Sequence, residues 1–148
     1  MMPRQVDTRK VREVMTTAPV TVKPTTSVAE LKALFEAHDF NAFPVVDEEG
    51  VLCGMVTKLD LFRMFRPARR RWFPDPAVWA ERVEDIMNWG VISVEPDDPV
   101  VVAVDLMVET KLRSLPVVDR RRGGTVLVGI VGRQDLLRCL PLENHELP

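Results

Sequence analysis

Apolar positions along the chain fall into short runs and helical stripes that appear twice, in one order. Val20-Thr21-Val22 is a β-prone run closed by Pro24. Ser27-Val28-Ala29-Glu30 then has capping-box spacing, and Val28, Leu31, Leu34 and Phe35 form one stripe of a helix. Phe43-Pro44-Val45-Val46 reads as a buried strand, Asp47-Glu48-Glu49-Gly50 as a hairpin turn, and Val51 to Val56 as the return strand. A closing helix starts at Thr57. The second set opens with Ile92-Ser93-Val94 before Pro96. Asp98 is the expected helix cap with Pro99 at the first helical position, and Val100, Ala103, Val104 and Met107 make the stripe. Leu115-Pro116-Val117-Val118, a longer turn from Arg120 to Gly124, and Val126 to Val131 follow, with a closing helix from Gly132. The order β-α-β-β-α, met twice, predicts an α+β fold of tandem repeats.

The two sets are a duplication. Shifted by 72 positions, Val11 falls on Val83, Met15 on Met87, Pro24 on Pro96 and Leu34 on Leu106. Pro44-Val45-Val46-Asp47 falls on Pro116-Val117-Val118-Asp119 without a gap. Beyond an insertion of three residues, Gly54 matches Gly129, Val56 matches Val131 and Asp60 matches Asp135. The repeats are placed at 10–66 and 82–140, with a linker at 67–81 and tails at 1–9 and 141–148. Pro67, Pro74 and Pro76 make the first part of the linker extended. Asp75-Pro76 then caps a segment in which Trp79, Val83 and Ile86 keep helical spacing.

At 148 residues and 46% hydrophobic, the chain suits one compact domain or two small units sharing a core. A net charge of -2, with acids and bases mixed, argues against a general nucleic-acid binder. No apolar run approaches the roughly 18 residues that span a bilayer, and Met1 to Lys10 has no secretory h-region. A cytoplasmic location is therefore expected, with Cys53 and Cys139 as reduced thiols. His38 and His145 lack metal-ligand neighbours, and no nucleophile motif or Gly-rich phosphate loop occurs. No enzyme activity, metal or required cofactor is expected. Arg63, Arg66, Arg69, Arg70 and Arg71, beside Trp72 and Phe73, read as a solvated linker or as a grip for an acidic partner or RNA.

The motifs, in order and twice, resemble the CBS domain pair, or Bateman module. The first set is Val14-Met15-Thr16, Val20-Thr21-Val22-Lys23-Pro24, Phe43 to Asp47, and Gly54-Met55-Val56-Thr57-Lys58-Leu59-Asp60-Leu61. The second is Ile86-Met87, Ile92 to Pro96, Leu115 to Asp119, and Gly129-Ile130-Val131-Gly132-Arg133-Gln134-Asp135-Leu136. The resemblance covers about residues 10 to 140 and leaves only short tails, which implies a stand-alone module. It implies two units in pseudo-twofold symmetry with two related clefts between them. The implied ligand is an adenosine compound (AMP, ATP or S-adenosylmethionine), and the implied assembly is a homodimer acting on a downstream protein not on this chain. The rival reading is a ligand-free dimerising scaffold.

Gly54-x-x-Thr57-x-x-Asp60 places a hydroxyl and a carboxylate on the first turn of a helix. Free N–H groups and the helix dipole attract phosphate there. Thr57 can add a donor and Lys58 a charge, Asp60 can accept a ribose diol, and the Pro44 loop can wall an adenine. The same spacing is also an ordinary helix start, with Thr57 as cap and Asp60 favourable to the dipole. Lys58 and Arg133 both oppose that dipole, a conflict a phosphate would remove, unless both extend into solvent. Gly132 replaces Thr57 in the second copy, so the hydroxyl is missing there while Asp135 persists. Cleft-edge candidates implied by the resemblance are Thr16, Val20, Asn41, Ala42, Phe43 and Pro44. Their second-copy counterparts are Asn88, Ile92, Arg113, Ser114, Leu115 and Pro116, with Arg113 either reaching a phosphate or lying solvated in its loop.

Overall fold

The computed structural model describes residues 8–68, 71–74, 81–120 and 124–142. Its strands are β1 (Thr16–Thr17), β2 (Ala42–Val46), β3 (Leu52–Thr57), β4 (Phe65–Ala68), β5 (Arg71–Pro74), β6 (Ser114–Asp119) and β7 (Val126–Gly132). Its helices are α1 (Val28–Ala37), α2 (Lys58–Phe62), α3 (Val100–Thr110) and α4 (Arg133–Leu137). Single 3-10 turns occur at Val11–Glu13 and Val83–Asp85. The helical spacing seen at Val83 and Ile86 therefore yields one tight turn, while Asp75, Pro76 and Trp79 lie outside the described residues. The Glu81 and Arg82 N–H groups donate to Asp85 Oδ2 at 3.0 Å each and hold that carboxyl below its usual range.

Two compact units form. One comprises Val20–Val91 with Gly124–Leu127; the other comprises the chain up to Pro19, Ile92–Gly123 and the chain from Val128. In the first, β2 and β3 pair antiparallel with Pro44 opposite Met55 and Ala42 opposite Thr57. The expected opening strand shrinks to one parallel bridge, Val22 to Val45, closed by Val22 N–Pro44 O at 3.0 Å and Val46 N–Val22 O at 2.9 Å. The second unit repeats this with Val94 to Val117. Its three-stranded sheet runs β1-β7-β6.

Local signals act as their chemistry dictates. Ser27 Oγ accepts Glu30 N–H at 3.1 Å and caps α1, whose Leu31 and Phe35 are buried. Asp47 Oδ1 gathers Glu49 and Val51 N–H at 2.8 and 3.0 Å, and Gly50 takes φ 82°, a left-handed turn that glycine tolerates best. The cap of α3 differs from expectation. Pro99 itself is the N-cap, with φ -60°, and Asp98 Oδ2 accepts Glu95 N–H at 2.8 Å instead. Proline takes that position because its fixed φ suits it and no N–H is lost there. Around the start of the linker, the described residues pair β4 with β5, with Arg66 opposite Phe73 and Pro67 opposite Trp72. Arg69, Arg70 and His145 lie outside the described residues. Among the described residues no helix is long and apolar enough to cross a membrane.

Each unit's core recruits a leading segment that the sequence places in front of the other repeat. Val83 and Met87 pack with Val22, Leu31, Phe35, Phe43, Val45 and Val56. Val11 packs with Val94, Val100, Ala103, Met107, Leu115, Val117 and Val131. The segments lie against glycines. Asn88 and Met55 exchange both backbone bonds, at 2.8 and 3.0 Å, so a methyl on Gly54 would overlap the Asn88 carbonyl. A methyl on Gly129 would meet Met15 Sδ at 2.7 Å and Thr16 O at 2.9 Å. The motif glycine is thus a close-approach residue in both copies. Gly54→Ala and Gly129→Ala are each expected to lose about 2–3 kcal/mol in urea unfolding through overpacking. Gly90→Ala, whose methyl meets nothing nearer than 3.7 Å, should be near neutral.

Candidate adenosine-ligand site

The first unit brings the Gly54–Asp60 motif together at the junction of β3 and α2. Thr57 is the N-cap, with φ -116° and ψ 165°. Its Oγ1 accepts Asp60 N–H at 3.1 Å, and Asp60 Oδ2 accepts Thr57 N–H at 2.8 Å, a reciprocal capping box. Such a cap is worth about 1 kcal/mol. Asp60 Oδ1 accepts from Arg63 Nη1 at 3.1 Å. A carboxylate offers about four lone-pair positions, so two bonds leave room for a vicinal diol. The Thr57 hydroxyl, used only as an acceptor by the cap, keeps its hydrogen to donate. Lys58 Nζ stands 6.0 Å from the centroid of the Phe35 ring.

The backbone narrows what a phosphate could use. Lys58 N–H, at the first helical position, donates to Asn41 O at 3.0 Å, and Asp60 N–H is taken by Thr57. The expected set of free N–H groups is therefore largely spent on the fold, and the Thr57 hydroxyl and the Lys58 ammonium are the side-chain donors at this helix start. Phe43 and Pro44 are fully buried in β2, so Pro44 belongs to a core strand and not to an adenine-facing loop. Val20 and Ala42 are half-buried and Asn41 exposed. Ala42, directly opposite Thr57, is the edge residue nearest the cap. Asn88 pairs with Met55 on the same strand. Phe40, which the motif reading passed over, is exposed and stacks on His38 with ring centroids 5.3 Å apart. Its only sequence signal was its place beside Asn41.

The matching junction in the second unit is built differently. Gly132 N–H donates to Asp135 Oδ2 at 2.8 Å, but no hydroxyl returns the bond. Arg138 stands 3.7 Å from Asp135 Oδ1, a looser pairing than Arg63 with Asp60. Arg133 N–H goes to Arg113 O at 3.2 Å. The Arg133 side chain reaches the turn after α3, donating through Nη2 to Lys111 O at 2.8 Å and through Nε to Leu112 O at 3.2 Å. Leu115 and Pro116 are buried, Ser114 half-buried, and Arg113 and Ile92 exposed. Thr16 pairs with Ile130 in this unit, so it does not join Val20, Thr57 and Asp60 within one compact body. Among the described residues no group of His, Cys, Asp and Glu is arranged to hold a metal ion.

Comparison with known proteins gives this geometry a family. The CBS domain model matches residues 11–66 and 83–142. The CBS domain-containing protein YhcV of Bacillus subtilis is 35% identical over 126 residues, covering 85% of this chain and 81% of that protein. L-aspartate semialdehyde sulfurtransferase of Methanocaldococcus jannaschii is 28% identical over 128 residues, and this chain spans 22% of its length. Among solved structures, the Arabidopsis thaliana CBS-pair protein CBSX2 in complex with AMP superposes with TM-score 0.74. It is 28% identical, with 87% of this chain and 93% of that one covered. The CBS domain pair of MJ0100, in complex with 5'-methylthioadenosine and S-adenosyl-L-methionine, superposes with TM-score 0.70 at 27% identity, covering 92% and 95%. Two matched repeats, each with its glycine, cap and acidic residue in register, therefore place this chain in the CBS domain family, as a CBS domain pair.

Proposed function

We propose that the chain is a regulatory module that binds an adenosine-containing ligand at the β3–α2 junction of its first repeat and carries out no chemical step. The observation that carries the reading is the Thr57–Asp60 box, whose internal bonds leave the Thr57 hydroxyl hydrogen and part of the Asp60 carboxylate unused, with the Lys58 cation next in the chain. Complexes of related CBS pairs with AMP and with S-adenosyl-L-methionine support that ligand class. Asp60 would take the ribose diol, and Thr57 and Lys58 the phosphate or another polar 5'-substituent. The ligand shifts the population of conformers, and a downstream protein reads the shift. The sulfurtransferase and the other enzymes among the relatives extend far beyond this segment, and their activities are not carried over. Heating the purified protein and weighing the released small molecules tests the reading. An adenosine compound near one per chain supports it; a preparation that neither releases one nor takes one up contradicts it.

The module is further proposed to work as a homodimer. Phe62 on α2 and Leu137 on α4, at matching positions, are 56% and 58% exposed, and Val108 on α3 is 71% exposed. Val104, Met107, Val108, Leu136, Leu137 and Leu140 line a groove of about 360 Å³ beside α4. A second copy would cover these faces in an isologous contact. Light scattering at tens of micromolar should give twice the chain mass, and Leu137→Asp should give the monomer. A monomeric parent would contradict the assembly.

A further inference from the structure

Lys58 and Arg133 occupy matching positions in the duplicated motif, directly after the helix caps, yet the fold holds them in unlike ways. Lys58 is held by a ring at 6.0 Å, the outer limit of a cation–π contact worth about 0.5–1 kcal/mol. Its ammonium can leave that ring at small cost. Arg133 spans two carbonyls, Lys111 O and Leu112 O, with separate nitrogens. Those carbonyls sit in the turn that ends α3, where Lys111 takes φ 61° and ψ 18°. A left-handed lysine costs about 1 kcal/mol, and helix ends leave carbonyls without partners. The planar fork of Arg133 holds both carbonyls in one fixed geometry, which a flexible ammonium does not impose. In the first repeat α1 ends at His38 with φ -126°, an extended residue, so there is no left-handed turn to tie down.

We infer that the two cations have divided their tasks: Arg133 is a structural latch on the turn after α3, and Lys58 is the cation that faces the ligand's phosphate. The Lys58 half rests on the binding reading above; the Arg133 half does not. The test pairs thermal melting with calorimetry on AMP and adenosine. Arg133→Ala should lower the melting midpoint by about 3–5 °C and leave AMP affinity within about twofold, and Arg133→Lys should fail to restore the midpoint. Lys58→Ala should leave the midpoint in place and weaken AMP by about three- to tenfold while adenosine changes little, with Lys58→Arg retaining AMP. An unshifted midpoint in Arg133→Ala, or a loss of AMP equal to that of Lys58→Ala, overturns the latch. A parent protein that melts as expected but binds neither AMP nor adenosine overturns the Lys58 role and leaves the latch standing, and the ligand reading falls with it when ATP and S-adenosylmethionine also fail to bind.

Discussion

Asp60→Ala is expected to remove about 3 kcal/mol of adenosine-ligand binding, on the order of a hundredfold in affinity, while Asp135→Ala leaves binding within about twofold. Each accepted hydrogen bond from a neutral hydroxyl to a carboxylate is worth about 1.5–3 kcal/mol, and a ribose diol would make two. The comparison is controlled by the fold itself. Both carboxylates accept the N-cap N–H at 2.8 Å, so both variants lose the same structural bond. Only the first copy adds the Thr57 hydroxyl and an uncommitted Lys58. Asp60→Asn separates cap from ligand further, since its carbonyl oxygen can still take the Thr57 N–H. Equal losses from both alanine variants would contradict the asymmetry. The converse change is Gly132→Thr, whose Cβ would stand 3.7 Å from Asp135 Oδ2 and 3.8 Å from Arg113 O, in ordinary contact.

Val11→Ala is expected to cost about 2–3 kcal/mol, from two lost methyl groups and the cavity they leave. The loss should fall on the unit that contains α3, β6, β7 and α4, because Val11 is fully buried among Val94, Val100, Leu115 and Val131. Val83→Ala should cost as much, but in the unit of α1, β2, β3 and α2. Amide hydrogen exchange distinguishes them. The first variant should raise exchange across β6 and β7, the second across β2 and β3, each with little effect on the other set. Faster exchange confined to the repeat that follows each segment in the chain would contradict the exchanged cores.

That exchange marks where sequence reading ended. The stripes of α1 and α3, the Ser27 cap, the Gly50 turn and the order β-α-β-β-α are set by neighbours a few residues apart, and periodicity exposes them. The sheet joined by Thr16 or Asn88 is decided by pairing with Ile130 or Met55, far along the chain. No local pattern encodes such a choice, although Gly54 and Gly129 carry its trace in their missing side chains. Asp98 and Pro99 differ from expectation by one position because two cap chemistries competed and proline's fixed φ won. At the site, Thr57, Lys58 and Asp60 were readable as a set because helix capping and anion binding need the same groups. The burial of Pro44 and the retreat of Arg133 onto Lys111 O were not, since both follow from packing around them.

A calorimetric titration of the purified chain with AMP, ATP and S-adenosylmethionine, after removal of any carried-over nucleotide, tests the central claim most directly. Binding of at least one of the three at one site per chain, lost in Asp60→Ala and kept in Asp135→Ala, is the predicted result. No binding of any of the three, or two equal sites per chain, would contradict it.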